Sequence, residues 1–143
     1  MSNIKSLPNI LLIEDDEVDI MNFERALRKL GFVNNIKFAR NGVEARNLLF
    51  GKDSNNLTKP LALILDLNMP KVGGHQLIEE IRHSERFLGT PIFVLTSSDV
   101  NRDKQEAWSL GVNAYFLKSM SQNEYLQTIR LIIDFINQME LPH

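Results

Sequence analysis

The sequence contains no cysteine, which excludes a disulfide framework and any metal site built from thiolates. It also lacks an apolar run close to the roughly 20 residues that a membrane-spanning helix needs, and its first residues contain no hydrophobic segment typical of a signal peptide. Basic charge is not in excess, because 16 Lys and Arg accompany 18 Asp and Glu, for a net charge of −2. We therefore expect a cytoplasmic protein that has no membrane or nucleic-acid partner.

The rest of the composition is ordinary for a globular protein. Of the 143 residues, 43% are hydrophobic and 24% are charged, which suits one domain with a buried core. We predict a single domain over residues 1–143, whose core extends from about residue 8 to residue 139.

One stretch organises the chain. Leu61 to Leu65 is an unbroken apolar run, and it is followed by Asp66 and then by Pro70. Such a run, bounded by turn residues, is typical of a strand buried on both faces of a parallel sheet. Asp66 would then lie at the carboxyl end of the strand, where ligands collect in open α/β sheets. Because a buried charge is costly without partners, we expect the other strand ends to supply them.

Strands and helices alternate five times along the sequence. Strands are predicted at 9–13, 36–39, 61–65, 91–95 and 113–117, and helices at 17–30, 43–50, 75–83, from about 99 to 110, and from about 121 to 139. The alternation predicts a flavodoxin-like, doubly wound α/β fold with a five-stranded parallel sheet in the order 2-1-3-4-5 and five helices. The first strand is followed by no G-x-G-x-x-G sequence, which argues against a dinucleotide-binding fold.

The sequence also predicts how three segments are arranged. The first helix is expected to turn Val18, Met21, Ala26, Leu27 and Leu30 inward. The fourth helix is expected to begin near Asp99 or Val100 with a polar cap. The polar segment from residue 52 to residue 59 is expected to be an exposed loop.

Polar side chains stand at the ends of four predicted strands. They are Glu14, Asp15 and Asp16 after the first, Asp66 after the third, Thr96 and Ser97 after the fourth, and Lys118 after the fifth. Clustered carboxylates favour a hard, magnesium-like cation, and a carboxylate can also attack phosphorus to form an acyl phosphate. An ammonium group and a hydroxyl would stabilise the oxygens of the transferred group.

Each residue has a simpler structural interpretation when it is taken alone. Acids suit a helix N-terminus, a threonine suits a helix cap, and most lysines are solvated. Only their convergence at one sheet edge indicates phosphoryl transfer to an aspartate.

The same residues resemble the receiver domain of two-component response regulators over nearly the whole chain. The matching segments are Ile10–Asp16, Asp66–Pro70 with Gly74, Leu95–Ser97 and Tyr115–Lys118. The resemblance implies that Asp66 accepts a phosphoryl group from a sensor histidine kinase. It also implies that Thr96 and Lys118 contact that group, and that Thr96 and Tyr115 form the switch.

A magnesium site is implied as well. By the resemblance, Asp15, Asp66 and the backbone carbonyl of Asn68 bind Mg²⁺, and Glu14 assists through a water molecule. Asp16 falls just after the acidic pair of the family and receives no ligand role.

The sequence departs from the family pattern at one position. The family usually has a proline after this lysine, in a cis peptide, whereas Ser119 follows Lys118 here. The bond is either trans, with a remodelled loop, or a cis bond that costs about 2.5–4 kcal/mol. The Lys118–Ser119 step and the loop at residues 52–59 also resemble single-domain regulators that serve phytochrome-type kinases.

No output domain follows the receiver sequence, so a stand-alone receiver is expected, acting through a partner, through dimerisation or as a relay. The last helix carries Leu131 and Phe135 on one flank of its apolar stripe. We predict that this flank and the adjoining surface of the fourth helix form a homodimer or dock a partner. The alternative is that neighbouring helices bury the flank inside the monomer.

Two other functions stay open at the level of sequence. One is a Mg²⁺-dependent phosphatase that forms an aspartyl-phosphate, although haloacid-dehalogenase-like enzymes have a second aspartate where this chain has Asn68. The other is a receiver-shaped scaffold that is never phosphorylated. We expect a phospho-acceptor rather than an enzyme.

The histidines and the tryptophan receive no role in the site. His75, His83 and His143 are placed away from the carboxyl edge, and Trp108 is expected to pack rather than to bind a ligand.

Overall fold

The computed structural model describes residues 7–52, 57–69, 72–118 and 121–142. Within these ranges the strands are β1 (Asn9–Ile13), β2 (Ile36–Ala39), β3 (Leu61–Leu65), β4 (Ile92–Thr96) and β5 (Ala114–Leu117). The helices are α1 (Glu17–Leu30), α2 (Gly42–Phe50), α3 (Gly74–Arg82), α4 (Asn101–Ser109) and α5 (Gln122–Gln138), and a short 3₁₀ turn spans Glu85–Phe87. Residues 53–56, Pro70, Ser119 and His143, which entered the sequence predictions, lie outside the described residues.

The strands form one parallel sheet in the order β2-β1-β3-β4-β5, which confirms the flavodoxin-like prediction. The central strand β3 pairs with both β1 and β4. All five residues of β3 are buried, as expected for a parallel strand covered on both faces. This places Asp66, the next residue, at the middle of the carboxyl edge.

Successive residues of each strand enter opposite layers of the core. Leu11 and Leu63 belong to a layer that includes residues of α2, α3 and α4. Leu12 and Ile64 belong to a layer that includes residues of α1 and α5. Alternate side chains of a strand point to opposite faces, so one sheet organises both layers and holds the strand ends in fixed register.

The expected inward face of α1 was partly wrong. Ala26 and Leu27 are buried as predicted, together with Ile20 and Phe23. Val18 and Met21, by contrast, are 64% and 50% exposed. The reason is that the buried stripe follows the helical spacing from Ile20 to Phe23 and Leu27, which turns Val18 and Met21 to a different face.

The predicted cap of α4 was also wrong, although the helix begins close to the expected position. Val100 is the N-cap residue and makes no capping hydrogen bond through its side chain. Asp99 instead forms an ion pair with Lys104. The hydroxyl of Ser98 donates to Asp103 Oδ2 at 2.6 Å, so the polar groups near this helix start bind one another.

Helix α4 is the most thinly anchored of the described helices. Ala107 is its one buried residue, and Trp108, which was expected to pack, is 52% exposed.

In the segment from residue 52 to residue 59, which was expected to be an exposed loop, Thr58 is exposed but Leu57 is buried. Across the described part of the chain, no helix has both the length and the apolar character that crossing a bilayer requires.

Candidate functional site

Asp66 is held at the end of β3 by its own backbone. Its N–H donates to the carbonyl of Ile13 at 3.0 Å, which continues the pairing of β3 with β1. The following loop turns back, since the N–H of Gly74 donates to the carbonyl of Leu67 at 3.2 Å. A Cβ on Gly74 would lie 2.6 Å from the Cα of Leu67, so this close approach requires glycine. The aspartate is only 6% exposed.

Both oxygens of the Asp66 carboxylate have partners from the ends of other strands. The hydroxyl of Thr96 donates to Oδ1 at 2.7 Å, and the ammonium of Lys118 donates to Oδ2 at 2.9 Å. The N–H of Asn68 also donates to Oδ1, at 3.2 Å. The ends of β4 and β5 therefore supply the partners that the sequence predicted for a buried charge.

Lys118 is the centre of a charge cluster. Its Nζ lies 2.6 Å from Glu14 Oε1, 2.7 Å from Asp19 Oδ2 and 2.9 Å from Asp66 Oδ2. The lysine side chain is 17% exposed, so water screens these contacts only partly. Three carboxyl groups thus face one ammonium group. Lys118 contacts Asp66 as predicted, while its peptide bond to Ser119 lies outside the described residues.

The acidic residues also form a group that could hold a cation. Glu14, Asp15 and Asp66 each offer an oxygen that lies within 4.8 Å of those of the other two. Glu14 Oε2 is buried and has no hydrogen-bond partner among the described residues. A buried oxygen without a donor, next to two further carboxylates, suits a hard divalent cation that prefers oxygen ligands. The residues present therefore fit the magnesium site expected from the sequence.

The cluster shifts the pKa values of its members in different directions. Burial, followed by the neighbouring Asp66 and Asp19, raises the pKa of Glu14 to about 9. Burial opposes ionisation of Asp66 too, but the neighbouring Glu14 carboxyl and the hydrogen bonds from Thr96 and Lys118 outweigh it and lower the pKa of Asp66. Burial likewise opposes the charge on Lys118, and the surrounding carboxylates outweigh it, so its pKa is raised. Asp66 is accordingly ionised at neutral pH, opposite a charged ammonium.

A chain of hydrogen bonds leads from Asp66 to Tyr115. Thr96 donates to Asp66 and is itself approached by the N–H of Ser98, at 3.4 Å from Thr96 Oγ1. The hydroxyl of Tyr115 donates to the carbonyl of Ser98 at 2.8 Å, and burial raises the pKa of this phenol. The two residues expected to form the switch are therefore joined through the backbone of Ser98.

Asp19 was missed by the sequence analysis. The neighbouring Asp16 is the N-cap of α1, and its Oδ1 accepts from the N–H groups of Val18 and Asp19 at 2.8 and 3.2 Å. Asp19 consequently lies three residues into the helix, where side chains point back toward the helix N-terminus and hence toward the sheet edge. Its position one turn after Asp15 was the available signal. Asp16, to which the sequence assigned no ligand role, serves as the N-cap of α1.

The other residues considered from sequence lie elsewhere. The ring of His75 bridges α3 and α4, with Nε2 3.1 Å from the carbonyl oxygen of Asp103. His83 Nδ1 lies 2.8 Å from the carbonyl oxygen of Glu79. Leu131 and Phe135 are 56% and 55% exposed, which excludes the alternative that neighbouring helices of the monomer bury this flank of α5.

Comparison with known proteins points in the same direction as the geometry. The family described as response regulator receiver domain matches residues 10–130. The probable methanogenesis regulatory protein FilR2 of Methanothrix harundinacea is 35% identical over 126 residues, which cover 88% of this chain and 81% of that protein. The response regulator Rcp1 of Synechocystis is 28% identical over 135 residues, which cover 93% and 92%.

Solved structures show the same relationship. The phosphorylated cyanobacterial phytochrome response regulator RcpA superposes with a TM-score of 0.87 at 29% identity, over 96% of this chain and 99% of that chain. The Mn²⁺-bound form of response regulator Rcp1 gives a TM-score of 0.85 at 27% identity, over 95% and 99%. The resemblance found in the sequence is thus confirmed, and this chain belongs to the response regulator receiver domain family, whose members are phospho-accepting regulators of two-component signalling.

Proposed function

We propose that this protein is a response regulator in which Asp66 accepts a phosphoryl group from a sensor histidine kinase in the presence of Mg²⁺. The observation that carries this proposal is the pairing of both Asp66 oxygens, one with Thr96 at 2.7 Å and the other with Lys118 at 2.9 Å, beside an acidic group. The Thr96 hydroxyl and the Lys118 ammonium now donate to the Asp66 carboxylate. From these positions they can also donate to the oxygens of an incoming phosphoryl group and stabilise the negative charge there.

The reaction needs little from the protein beyond positioning and charge. One carboxylate oxygen of Asp66 forms the new bond to phosphorus, and the phosphorus–nitrogen bond to the histidine of the kinase breaks. A magnesium ion held by Glu14, Asp15, Asp66 and the carbonyl of Asn68 would neutralise charge on the phosphoryl oxygens. Lys118 and Thr96 then each contact a phosphoryl oxygen, so that Asp66 keeps the group in a defined orientation.

Phosphorylation would act on the loop between β4 and α4. Thr96 now donates to Asp66, and a phosphoryl oxygen offers it a new acceptor. Movement of Thr96 disturbs its contact with the N–H of Ser98, whose carbonyl holds the hydroxyl of Tyr115. Because α4 buries only Ala107 among its residues, its displacement costs little packing. The result is a population shift between two arrangements of α4 and Tyr115.

Partners follow from the surface and from the similar proteins. The match to the phytochrome response regulator RcpA supports a phytochrome-type histidine kinase as the phosphodonor. The exposed flank of α5, with Leu131 and Phe135, together with the surface of α4, supports a homodimer or a docked partner as the output.

A phosphatase is the weaker alternative. A phosphatase of the haloacid-dehalogenase type would have its second aspartate at the position of Asn68, and this residue is an exposed amide here. An amide cannot exchange protons with a leaving group as a carboxylate does. We therefore favour stoichiometric acceptance of one phosphoryl group over catalytic turnover.

Intact-mass spectrometry after incubation with acetyl phosphate and Mg²⁺ tests the proposal. We expect the mass of one phosphoryl group to be added, to be lost in hydroxylamine, and to be absent in Asp66→Asn. Asp134→Asn on α5 is the matched control, with the same chemical change outside the site, and it should be phosphorylated normally. Undiminished phosphorylation of Asp66→Asn would refute the acceptor assignment, and release of many phosphates per chain would indicate an enzyme.

A further inference from the structure

Asp19 is the carboxylate of the charge cluster that the proposed reaction does not use. Its Oδ2 lies 2.7 Å from Lys118 Nζ, as close as the contact of Lys118 with Glu14 at 2.6 Å. Unlike Glu14, however, Asp19 is not part of the group of carboxylates that could hold a cation, which consists of Glu14, Asp15 and Asp66. Of the three carboxyl groups that contact Lys118, Glu14 and Asp66 belong to the group that could hold a cation, and Asp19 does not.

The position of Asp19 is fixed by α1. Asp16 caps the helix and binds the N–H of Asp19 itself, while Ile20 and Phe23 are buried against the sheet. The carboxylate of Asp19 thus projects from the first turn of an anchored helix, and its side chain is 35% exposed. Lys118, by contrast, has a flexible four-carbon stem and a single charge at its tip.

A cation in the acidic group changes the surroundings of Lys118. Glu14 and Asp66 would share their charge with the cation, and the cation would repel the nearby ammonium. Asp19 then remains as the partner of Lys118 that the cation does not engage. Without it, the flexible ammonium would turn toward water in the state in which the phosphoryl group arrives.

We propose that Asp19 is a positioning residue for Lys118, which holds the ammonium beside Asp66 while the cation is bound. This inference rests on the proposed function, because it assigns Lys118 a phosphoryl oxygen as its next partner. A purely structural alternative exists, since an acid three residues after a capping Asp16 also stabilises the helix N-terminus. The test therefore has to separate an effect through Lys118 from an effect on α1.

The first experiment compares Asp19→Asn with Asp19→Glu and with Glu17→Gln as matched control. Glu17 lies on the same helix turn and loses the same charge, but its carboxylate is 81% exposed and pairs with Arg40. With acetyl phosphate and Mg²⁺, we expect Asp19→Asn to lower the phosphorylation rate constant about tenfold, as for a misplaced charged group. Asp19→Glu should restore most of it, and Glu17→Gln should match the wild type. Mg²⁺ affinity should stay within about threefold in all of them.

The second experiment repeats Asp19→Asn in a Lys118→Met background. If Asp19 acts through Lys118, the two losses are not additive and the second change has almost no further effect. A tenfold loss that persists without Lys118 would overturn the inference, as would a wild-type or faster rate in Asp19→Asn.

A measurement that needs no phosphorylation keeps the inference separate from the proposed function. In ¹H–¹⁵N spectra with saturating Mg²⁺, the ammonium of Lys118 should be protected from exchange in the wild type and in Glu17→Gln. In Asp19→Asn it should exchange with water too fast to be observed. Equal protection in all three proteins would overturn the inference even if phosphorylation of Asp66 is confirmed. A wild type that is never phosphorylated would instead refute the proposed function.

Discussion

The hydroxyl of Tyr115 donates a hydrogen bond of 2.8 Å to the carbonyl of Ser98. This bond ties the middle of β5 to the loop that leads into α4. Ser98 in turn approaches Thr96, whose hydroxyl is bound to Asp66. A change at the carboxylate therefore reaches a half-buried aromatic ring through two intervening residues, across a loop that contains few apolar anchors.

The first prediction concerns this connection. Adding beryllofluoride, a phosphoryl mimic, with Mg²⁺ should shift the amide resonances of Ser98, Asp99 and Tyr115, because Thr96 gains a new acceptor. Tyr115→Phe removes the hydrogen bond to the Ser98 carbonyl. This variant should still bind the mimic, but the mimic-induced shifts at Ser98 and Asp99 should differ from those of the wild type. Its loss of stability should be about 0.5–1.5 kcal/mol, as for one hydrogen bond. Unchanged spectra around both residues on addition of the mimic to the wild type would rule out this switch.

The second prediction uses two adjacent acids with different contacts. Asp15 belongs to the carboxylate group that could hold a cation, whereas Asp16 caps α1. Asp15→Ala should weaken Mg²⁺ binding by about tenfold or more with little change in stability. Asp16→Ala should leave Mg²⁺ affinity nearly unchanged and lower the free energy of unfolding by about 1 kcal/mol. Calorimetry and urea unfolding measure both quantities, and equal Mg²⁺ affinity in wild type and Asp15→Ala would contradict the ligand role.

The third prediction is a pH dependence of cation binding. The pKa of Glu14 is raised to about 9, so this carboxyl is protonated at pH 7.5 and must lose its proton to bind a cation. Mg²⁺ affinity should rise with pH between about 7 and 9, and binding should release a proton. The binding enthalpy should then differ between buffers of different ionisation enthalpy, and Glu14→Gln should abolish that difference. A wild-type enthalpy that is the same in all buffers would disprove the linkage.

The site residues on strand ends were predictable because parallel strands place their carboxyl ends at one edge. The order of the strands then decides which ends are neighbours. Asp66 follows a five-residue apolar run, Thr96 is the last residue of β4, and Lys118 directly follows β5. Their meeting needed no knowledge of side-chain orientation beyond the register of the strands.

Residues on helices were predicted less well, since their direction depends on how each helix is rotated against the sheet. Val18 and Met21 have apolar side chains at helical spacing, yet Ile20 and Phe23 take the inward face. The contact of Asp19 with Lys118 depends on the same rotation and joins residues far apart in the sequence. The rotation of a helix is determined by its packing against the rest of the protein, and the residue pattern of one segment contains no information on that packing.

The last prediction concerns self-association through α5. Leu131 and Phe135 lie one helical turn apart, and both are more than half exposed, although the ring of Phe135 contacts Phe93 edge to face at 6.1 Å between centroids. Neighbouring apolar side chains left in water favour an interface, and two-fold symmetry is the commonest arrangement. We expect the wild type to sediment as a dimer, more tightly with beryllofluoride.

Leu131→Glu is the cleaner variant for this test, because Phe135 also contributes to packing through Phe93. It should give a folded monomer with the wild-type free energy of unfolding, and Leu131→Glu with Phe135→Glu should give a monomer that is somewhat less stable. Val43→Glu is the matched control, since Val43 is 41% exposed on α2, whose buried residues belong to the opposite layer of the core from those of α5, and it should stay dimeric. If the wild type sediments as a monomer both with and without beryllofluoride, the homodimer is excluded. In that case we expect the exposed flank of α5 to bind a different protein, and Leu131→Glu should weaken that binding.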